Sequence, residues 1–269
     1  MALDDPIDSL LDDIEDALEE DDLDRARTLV ERARREFPQD PEVLCAYGDV
    51  LWDCGELQAA LAAYHDAERQ APEDADIVMA LADCHFALCE FDEARAVAVR
   101  VNKMEEHPSA QALLGRLAER ANLIEEADRL FQRAQSLDPD SYPLPYRVTE
   151  EEFRELTRIA LDQLPDRFRE AMEGQVALVV EAVPSRELLT GAEPPLDPEL
   201  LGLYVGIPLP ERTHDTTKLP DIIYLFQRNL EHEATDHEEL TEQIAITVYH
   251  EIGHYFGFSD EELEARDFG

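Results

Sequence analysis

Lysine is nearly absent from this chain of 269 residues: Lys103 and Lys218 are the only two, and every other basic residue is arginine. Basic residues of both kinds are few, 23 against 64 acidic ones, and the formal net charge is -41. A surface of that sign repels a phosphate backbone, which excludes DNA and RNA as partners. The imbalance is not confined to an acidic tail, because residues 141–269 hold 28 acidic and 10 basic residues and the remainder holds 36 and 13. A solvated acidic surface accounts for it, and attraction of basic peptides is the functional alternative. Also missing is any run approaching the roughly 18 apolar residues that a membrane-spanning helix needs. The first residues, Met1 to Asp5, lack a basic region before an apolar stretch, so no leader is expected and the protein reads as soluble and cytoplasmic. Cysteine is scarce. Cys45, Cys54, Cys84 and Cys89 form no C-x-x-C pair and read as small core residues of a reduced protein.

What the chain does have is apolar content of 44%, enough for a core in each of two ordinary domains. Its first half repeats. Ala26, Ala60, Ala94 and Ala127 each follow an apolar residue, Leu23, Leu57, Phe91 and Ile124, at a spacing close to 34. Gly48 recurs with Tyr64 as Gly115 does with Phe131, and Pro38, Pro72 and Pro139 close three units. The pattern resembles the tetratricopeptide repeat, in which small residues mark the closest approach of two paired helices. Four units are expected near 7–40, 41–74, 75–107 and 108–140. In that family the first helix of each unit lines a concave groove, and the register puts Asp49, Trp52, Asp53, Met79, Asp83 and Phe86 there. Such a groove would hold a basic or apolar peptide; packing between neighbouring helices is the other role open to the same residues. His85, alone on an apolar helix face, is assigned no metal role.

Asp138-Pro139-Asp140-Ser141-Tyr142-Pro143-Leu144-Pro145 breaks helix and strand alike, which sets a boundary near 140 and a second domain over 141–269. Thr149 with Glu152 makes a capping box before a helical stripe of Phe153, Leu156, Ile159, Ala160 and Leu164. Residues 175–183 and 221–227 are short, valine- or isoleucine-rich runs that predict buried strands. Residues 185–219 read mainly as loop, with a turn of helix or a short strand at 200–205. A last long helix begins at Thr235 with Glu238 or at Asp236 with Glu239, carries Leu240, Ile244, Val248 and Ile252 inward, and stops at Gly257.

That helix bears His250-Glu251-Ile252-Gly253-His254. Histidines four apart project from one helix face, so both imidazoles can reach one zinc ion. Glu251 stands beside them as general base and proton carrier. Two histidines leave a tetrahedral ion short of a protein ligand, and Asp260, beyond the chain reversal at Gly257, is the candidate third. Gly253 inside the helix suggests the close approach of another backbone, or plain tolerance. Tyr255 would donate to an oxyanion or, like Tyr249, pack at the core or rim. His214, His232 and His237 are taken as surface residues.

The string His250, Glu251, His254, Gly257, Asp260 resembles the metzincin pattern with aspartate in place of the last histidine. Residues 164–269 resemble the bacterial minimal zincin family of metallopeptidases through Leu164-Pro165-Asp166-Arg167-Phe168, Leu200 to Gly206, Pro220 to Phe226 and the histidine motif. The resemblance implies a compact α/β domain with a small sheet and a zinc site. No methionine follows the motif, so the Met-turn of true metzincins is absent. In zincins an edge strand beside the site pairs with an extended peptide, and the strand at 221–227 is the nearest in sequence.

The expected whole is an α+β chain: an all-α tetratricopeptide-like solenoid, then a small zincin-like domain. Its expected function is zinc-dependent peptide hydrolysis, with repeats that recruit substrate or partner. A protein-interaction scaffold with a catalytically weak metal-binding domain is the alternative. A purely structural zinc fold is less natural, because two histidines and an aspartate leave the fourth position open.

Overall fold

The computed structural model describes residues 6–172, 174–212 and 221–264, so His214, Lys218 and Pro220 lie outside the described residues. The chain divides into two compact units, Met1–Tyr142 with Thr190–Asp197, and Pro143–Leu189 with Pro198–Gly269.

The first unit is a solenoid of four helix pairs: α1 (Pro6–Glu19) with α2 (Leu23–Glu36), α3 (Pro41–Asp53) with α4 (Leu57–Gln70), α5 (Ala75–Ala87) with α6 (Phe91–Met104), and α7 (Pro108–Arg120) with α8 (Ile124–Leu137). Asp40 and Asp74 cap α3 and α5 by accepting two backbone N–H groups each, which satisfies donors that an uncapped helix start would leave open. Ala26, Ala60, Ala94 and Ala127 are fully buried where the second helix of each pair meets the first. At Gly115 a methyl group would lie 2.5 Å from Phe131 Cε1, and Gly48 meets the Tyr64 ring in the same way. These amphipathic pairs could not bury their apolar faces singly; stacked, they share continuous cores. Thr190–Asp197 belongs to this unit, with the Leu196 carbonyl oxygen 3.8 Å from Cys89 Sγ.

Groove lining and helix packing were both open for Asp49, Trp52, Asp53, Met79, Asp83 and Phe86, and the structure gives their burial. Met79 and Phe86 are only 4% and 7% exposed and pack in the core with Ala94, Ala98 and Leu113. They are turned inward because α5 must fill the space between α6 and α7. Asp49 is half-buried and accepts a hydrogen bond from the Tyr64 hydroxyl at 2.8 Å. Trp52 and Asp83 are half-buried and Asp53 is exposed. His85 pairs through Nδ1 with Glu90 at 2.6 Å.

In the second unit α9 (Glu150–Asp162) starts at the full capping box of Thr149 and Glu152. It is followed by α10 (Asp166–Met172), β1 (Val176–Glu181), α11 (Arg186–Leu189), β2 (Gly202–Val205), a single 3-10 turn at Leu209–Glu211, β3 (Asp221–Phe226), α12 (Gln227–His232), α13 (His237–Tyr255) and α14 (Asp260–Glu264). The strands form a sheet of order β1-β3-β2, with β3 parallel to β1 and antiparallel to β2. Phe153, Leu156, Ile223, Leu225, Leu240, Ile244, Val248 and Ile252 make the core between sheet and helices. The topology corrects the choice of peptide-pairing strand. β3 has a neighbour on each side, so its backbone groups are already spent, and β2 is the edge strand that packs against α13.

Candidate metal centre

Asp236, not Thr235, caps α13 by accepting the N–H groups of Glu238 and Glu239 at 2.8 and 3.0 Å. From that start the helix turns Ile244, Val248, Ile252 and Tyr255 into the core, leaving His250 and His254 half-exposed on another face. The two Nε2 atoms stand 3.0 Å apart.

The helix end then brings in the third group. Gly257 has φ +87, a left-handed conformation that glycine reaches without strain. Its N–H donates to the His254 carbonyl at 2.9 Å and that of Phe258 to the Gly253 carbonyl at 3.1 Å, the paired bonds of a Schellman stop. Phe258 is thereby placed so that its carbonyl oxygen lies 3.1 Å from His254 Nδ1. A proton on Nδ1 donated to that oxygen leaves Nε2 with its lone pair toward the site. Beyond the turn α14 begins at Asp260. Its Leu263 side chain is buried against Gly253, where any Cβ would collide with it. The close neighbour of Gly253 is therefore a side chain and not another backbone. So seated, α14 carries Asp260 Oδ1 to 3.1 Å from His250 Nε2 and 3.3 Å from His254 Nε2.

Three donor atoms at mutual separations of 3.0 to 3.3 Å fit one small cation: bonds of about 2.0–2.1 Å at tetrahedral angles put ligand atoms about 3.3 Å apart. Nitrogen and carboxylate oxygen are the donor set that zinc takes. Among the described residues this trio is the one group of three or more histidine, cysteine or acidic side chains able to hold a metal ion.

Glu251, adjacent on the helix, is only 6% exposed. Burial pushes its carboxyl up to about 7, while His254 and the backbone N–H of Tyr204 pull it the other way. That N–H comes from β2. The Leu201 carbonyl accepts from Phe226 N–H at 2.9 Å, so odd-numbered residues of this strand face β3 and the backbone of Gly202 and Tyr204 faces outward. Gly202 lets the strand lie on α13: a methyl there would stand 2.7 Å from Thr247 Cγ2 and 3.0 Å from Glu251 Cγ.

Tyr255, considered as an oxyanion donor, is instead fully buried, its ring edge-on to Tyr204 and Phe256. It packs the core, because one residue past His254 the helix has turned inward. Tyr249 donates to the Gln163 carbonyl at 3.2 Å. His237 is exposed and His232 half-buried. The roles of Tyr204 N–H, the Phe258 carbonyl and Leu263 escaped sequence reasoning. Gly202 carried a signal, since a glycine inside a short strand often marks close approach of another element.

Comparisons with known proteins find matches in both parts of the chain. Residues 174–269 match the family model described as zincin-like metallopeptidase. Residues 11–64 and 51–117 match two models of the tetratricopeptide repeat. Similar solved structures include Pseudomonas aeruginosa pilF, at 14% identity over 50% of this chain and 62% of that one with a TM-score of 0.47. Another is YrrB, described as a TPR protein with an unusual peptide-binding site, at 18% identity over 50% and 70% with a TM-score of 0.42. A third is TTC0263, a thermophilic TPR protein of Thermus thermophilus, at 21% identity over 50% and 92% with a TM-score of 0.36. The chain thus spans under two thirds of the length of the first. The search of curated proteins finds no match. Residues 174–269 carry a zincin-like metallopeptidase family domain, and it stands behind tetratricopeptide repeats.

Proposed function

We propose that this chain is a zinc-dependent peptide hydrolase whose repeats recruit a protein substrate or partner. The observation that carries the reading is the convergence of His250, His254 and Asp260 beside a buried carboxylate. These three residues would hold the ion through Nε2, Nε2 and Oδ1. Zinc bound there would polarise a carbonyl and lower the pKa of water to about 7. Glu251 accepts the proton of the attacking water on its carboxylate and returns it to the leaving amine. Its position under β2 supports this role, since an extended peptide pairing with the outer edge of that strand would run past the carboxylate. The substrate-aligning strand is therefore β2. The intact Glu251 favours hydrolysis over a metal-binding scaffold, because a site that only binds metal needs no carboxylate there.

The test pairs metal analysis of the purified chain with a peptide-library cleavage assay of wild type and Glu251→Gln. Stoichiometric zinc in both proteins, with cleavage by wild type alone, is expected. Equal turnover by Glu251→Gln removes Glu251 as the base, and zinc binding without any cleavage leaves the scaffold reading.

A further inference from the structure

Asp221, the first residue of β3, is a carboxylate only 5% exposed and remote from the histidines in sequence. Three donors close on it from the nine residues 204–212. The Tyr204 hydroxyl reaches Oδ1 at 2.8 Å, the Ile207 N–H reaches the same oxygen at 3.2 Å, and Arg212 Nη2 reaches Oδ2 at 2.5 Å. Arg212 Nε also donates to the Ile207 carbonyl at 2.8 Å, so the segment is a hook tied to itself as well as to Asp221. Gly206 leaves room for the knot, because a Cβ there would overlap the Asp221 carboxylate and the Tyr204 hydroxyl.

The hook touches the helix that carries the metal centre at two places, beside the ligands and at the turn that ends it. Its start is β2, whose Tyr204 N–H holds Glu251. Its tip lies on the turn that ends α13: a Cβ on Gly257 would meet Pro210 Cδ at 2.9 Å and Pro208 Cβ at 3.7 Å. Gly257 is the residue that sets the Phe258 carbonyl against His254 and leads the chain into Asp260. Arg212 also lies over the Tyr255 ring, 5.1 Å from its centroid, but Asp221 is the group that three donors of the hook share, and with two prolines the backbone has little freedom to re-form around a different one.

We infer that Asp221 is a positioning residue of the metal centre: by anchoring the 204–212 hook it holds the Gly257 turn, and with it Asp260 and the ring of His254, in ligating geometry. The inference rests on the zinc reading given above. Groups that orient metal ligands from behind typically change metal affinity by about 10–100-fold when removed, which is the effect expected here.

The experiment uses the full chain. Apo wild type, Asp221→Asn and Tyr204→Phe are titrated with zinc against a chromophoric chelator. Each is also loaded with cobalt(II) and its visible spectrum recorded, with thermal unfolding of the apo proteins followed in parallel. For Asp221→Asn a zinc affinity at least tenfold weaker and an altered, weaker cobalt absorption are expected. Tyr204→Phe removes one of three donors and should change both in the same direction by less. A folded Asp221→Asn that unfolds at lower temperature, yet binds zinc as wild type does with the same cobalt spectrum, overturns the inference and makes Asp221 a purely structural residue. If Asp221→Asn does not fold, Tyr204→Phe decides, and wild-type zinc affinity and cobalt spectrum in that variant overturn it equally. A wild type that binds no zinc sinks the zinc reading and this one together, whereas a zinc-binding wild type that cleaves no peptide sinks only the hydrolase.

Discussion

Glu251 reaches its place beneath β2 because position 202 has no side chain. The strand and α13 are close enough there for the Tyr204 N–H to meet the carboxylate, and the contact of Gly202 with Thr247 Cγ2 leaves no slack for a methyl group. In Gly202→Ala either the strand lifts or Glu251 turns aside. Either movement leaves the Ile207 and Arg212 bonds to Asp221, and the contact of Pro210 with the Gly257 turn, in place, so His250, His254 and Asp260 keep their positions. Displacing a reacting group by about 1 Å can cost on the order of a hundredfold in rate. Gly202→Ala is therefore expected to keep zinc at wild-type stoichiometry and to lose cleavage by roughly that factor. Zinc analysis beside single-turnover rates on a peptide from the library checks it. Loss of zinc in this variant would mean that β2 braces the ligands directly.

Among the elements, the α3/α4 pair carries a charge where its helices meet. Asp49 accepts from Tyr64 of α4, but burial, the larger effect, pushes its carboxyl above the usual range, and repulsion from Asp53 adds to that push. A carboxyl whose folded pKa is raised destabilises the fold while ionised. Stability then grows as pH falls from the folded value toward the unfolded value, about 3.9, because in that window the folded chain binds more protons. Asp49→Asn keeps an oxygen for the Tyr64 hydroxyl and removes the charge. It is expected to raise the unfolding temperature of the repeats at pH 7, with the gain shrinking as pH is lowered through that window. Unfolding curves across pH 4–7 check the sign, and a gain that grows toward acid contradicts it. Element by element, what could be read beforehand was whatever is local. The four alanines at a spacing near 34, the Thr149 capping box, the stop at Gly257 and the His-x-x-x-His face each depend on a few neighbouring residues. α10, α12 and α14 were not foreseen, since helices of five to seven residues show less than two turns of periodicity. Nor was the role of β2, because what makes it an edge beside the site is pairing with a strand about 20 residues away and contact with a helix further on. The burial of Met79 and Phe86 was not legible for the same reason: repeat register tells which helix face a residue occupies, but not how far the next pair covers it.

At the scale of the molecule the dominant fact is the net charge of -41. Many arginines are already paired at the surface, as in Arg27 with Glu56, Arg133 with Glu106 and Arg158 with Glu155 and Asp162. With nearly three acidic residues for each basic one, these pairs cannot neutralise the rest. Exposed pairs of this kind contribute at most about 1 kcal/mol each, while unpaired carboxylates repel across the whole surface and favour any expansion that separates them. Added salt weakens both effects, shortening the screening length from about 8 Å at 0.15 M to about 3 Å at 1 M. The paired minority loses little and the unpaired majority loses its repulsion, so the balance falls on the side of stabilisation. The apo chain is expected to unfold at a higher temperature in 1 M than in 0.05 M potassium chloride, with the rise reduced when exposed glutamates are replaced by glutamine. Chloride and acetate salts of potassium should act alike if screening is the cause. A midpoint that falls with salt would assign more stability to the surface ion pairs than to relief of the acidic surface.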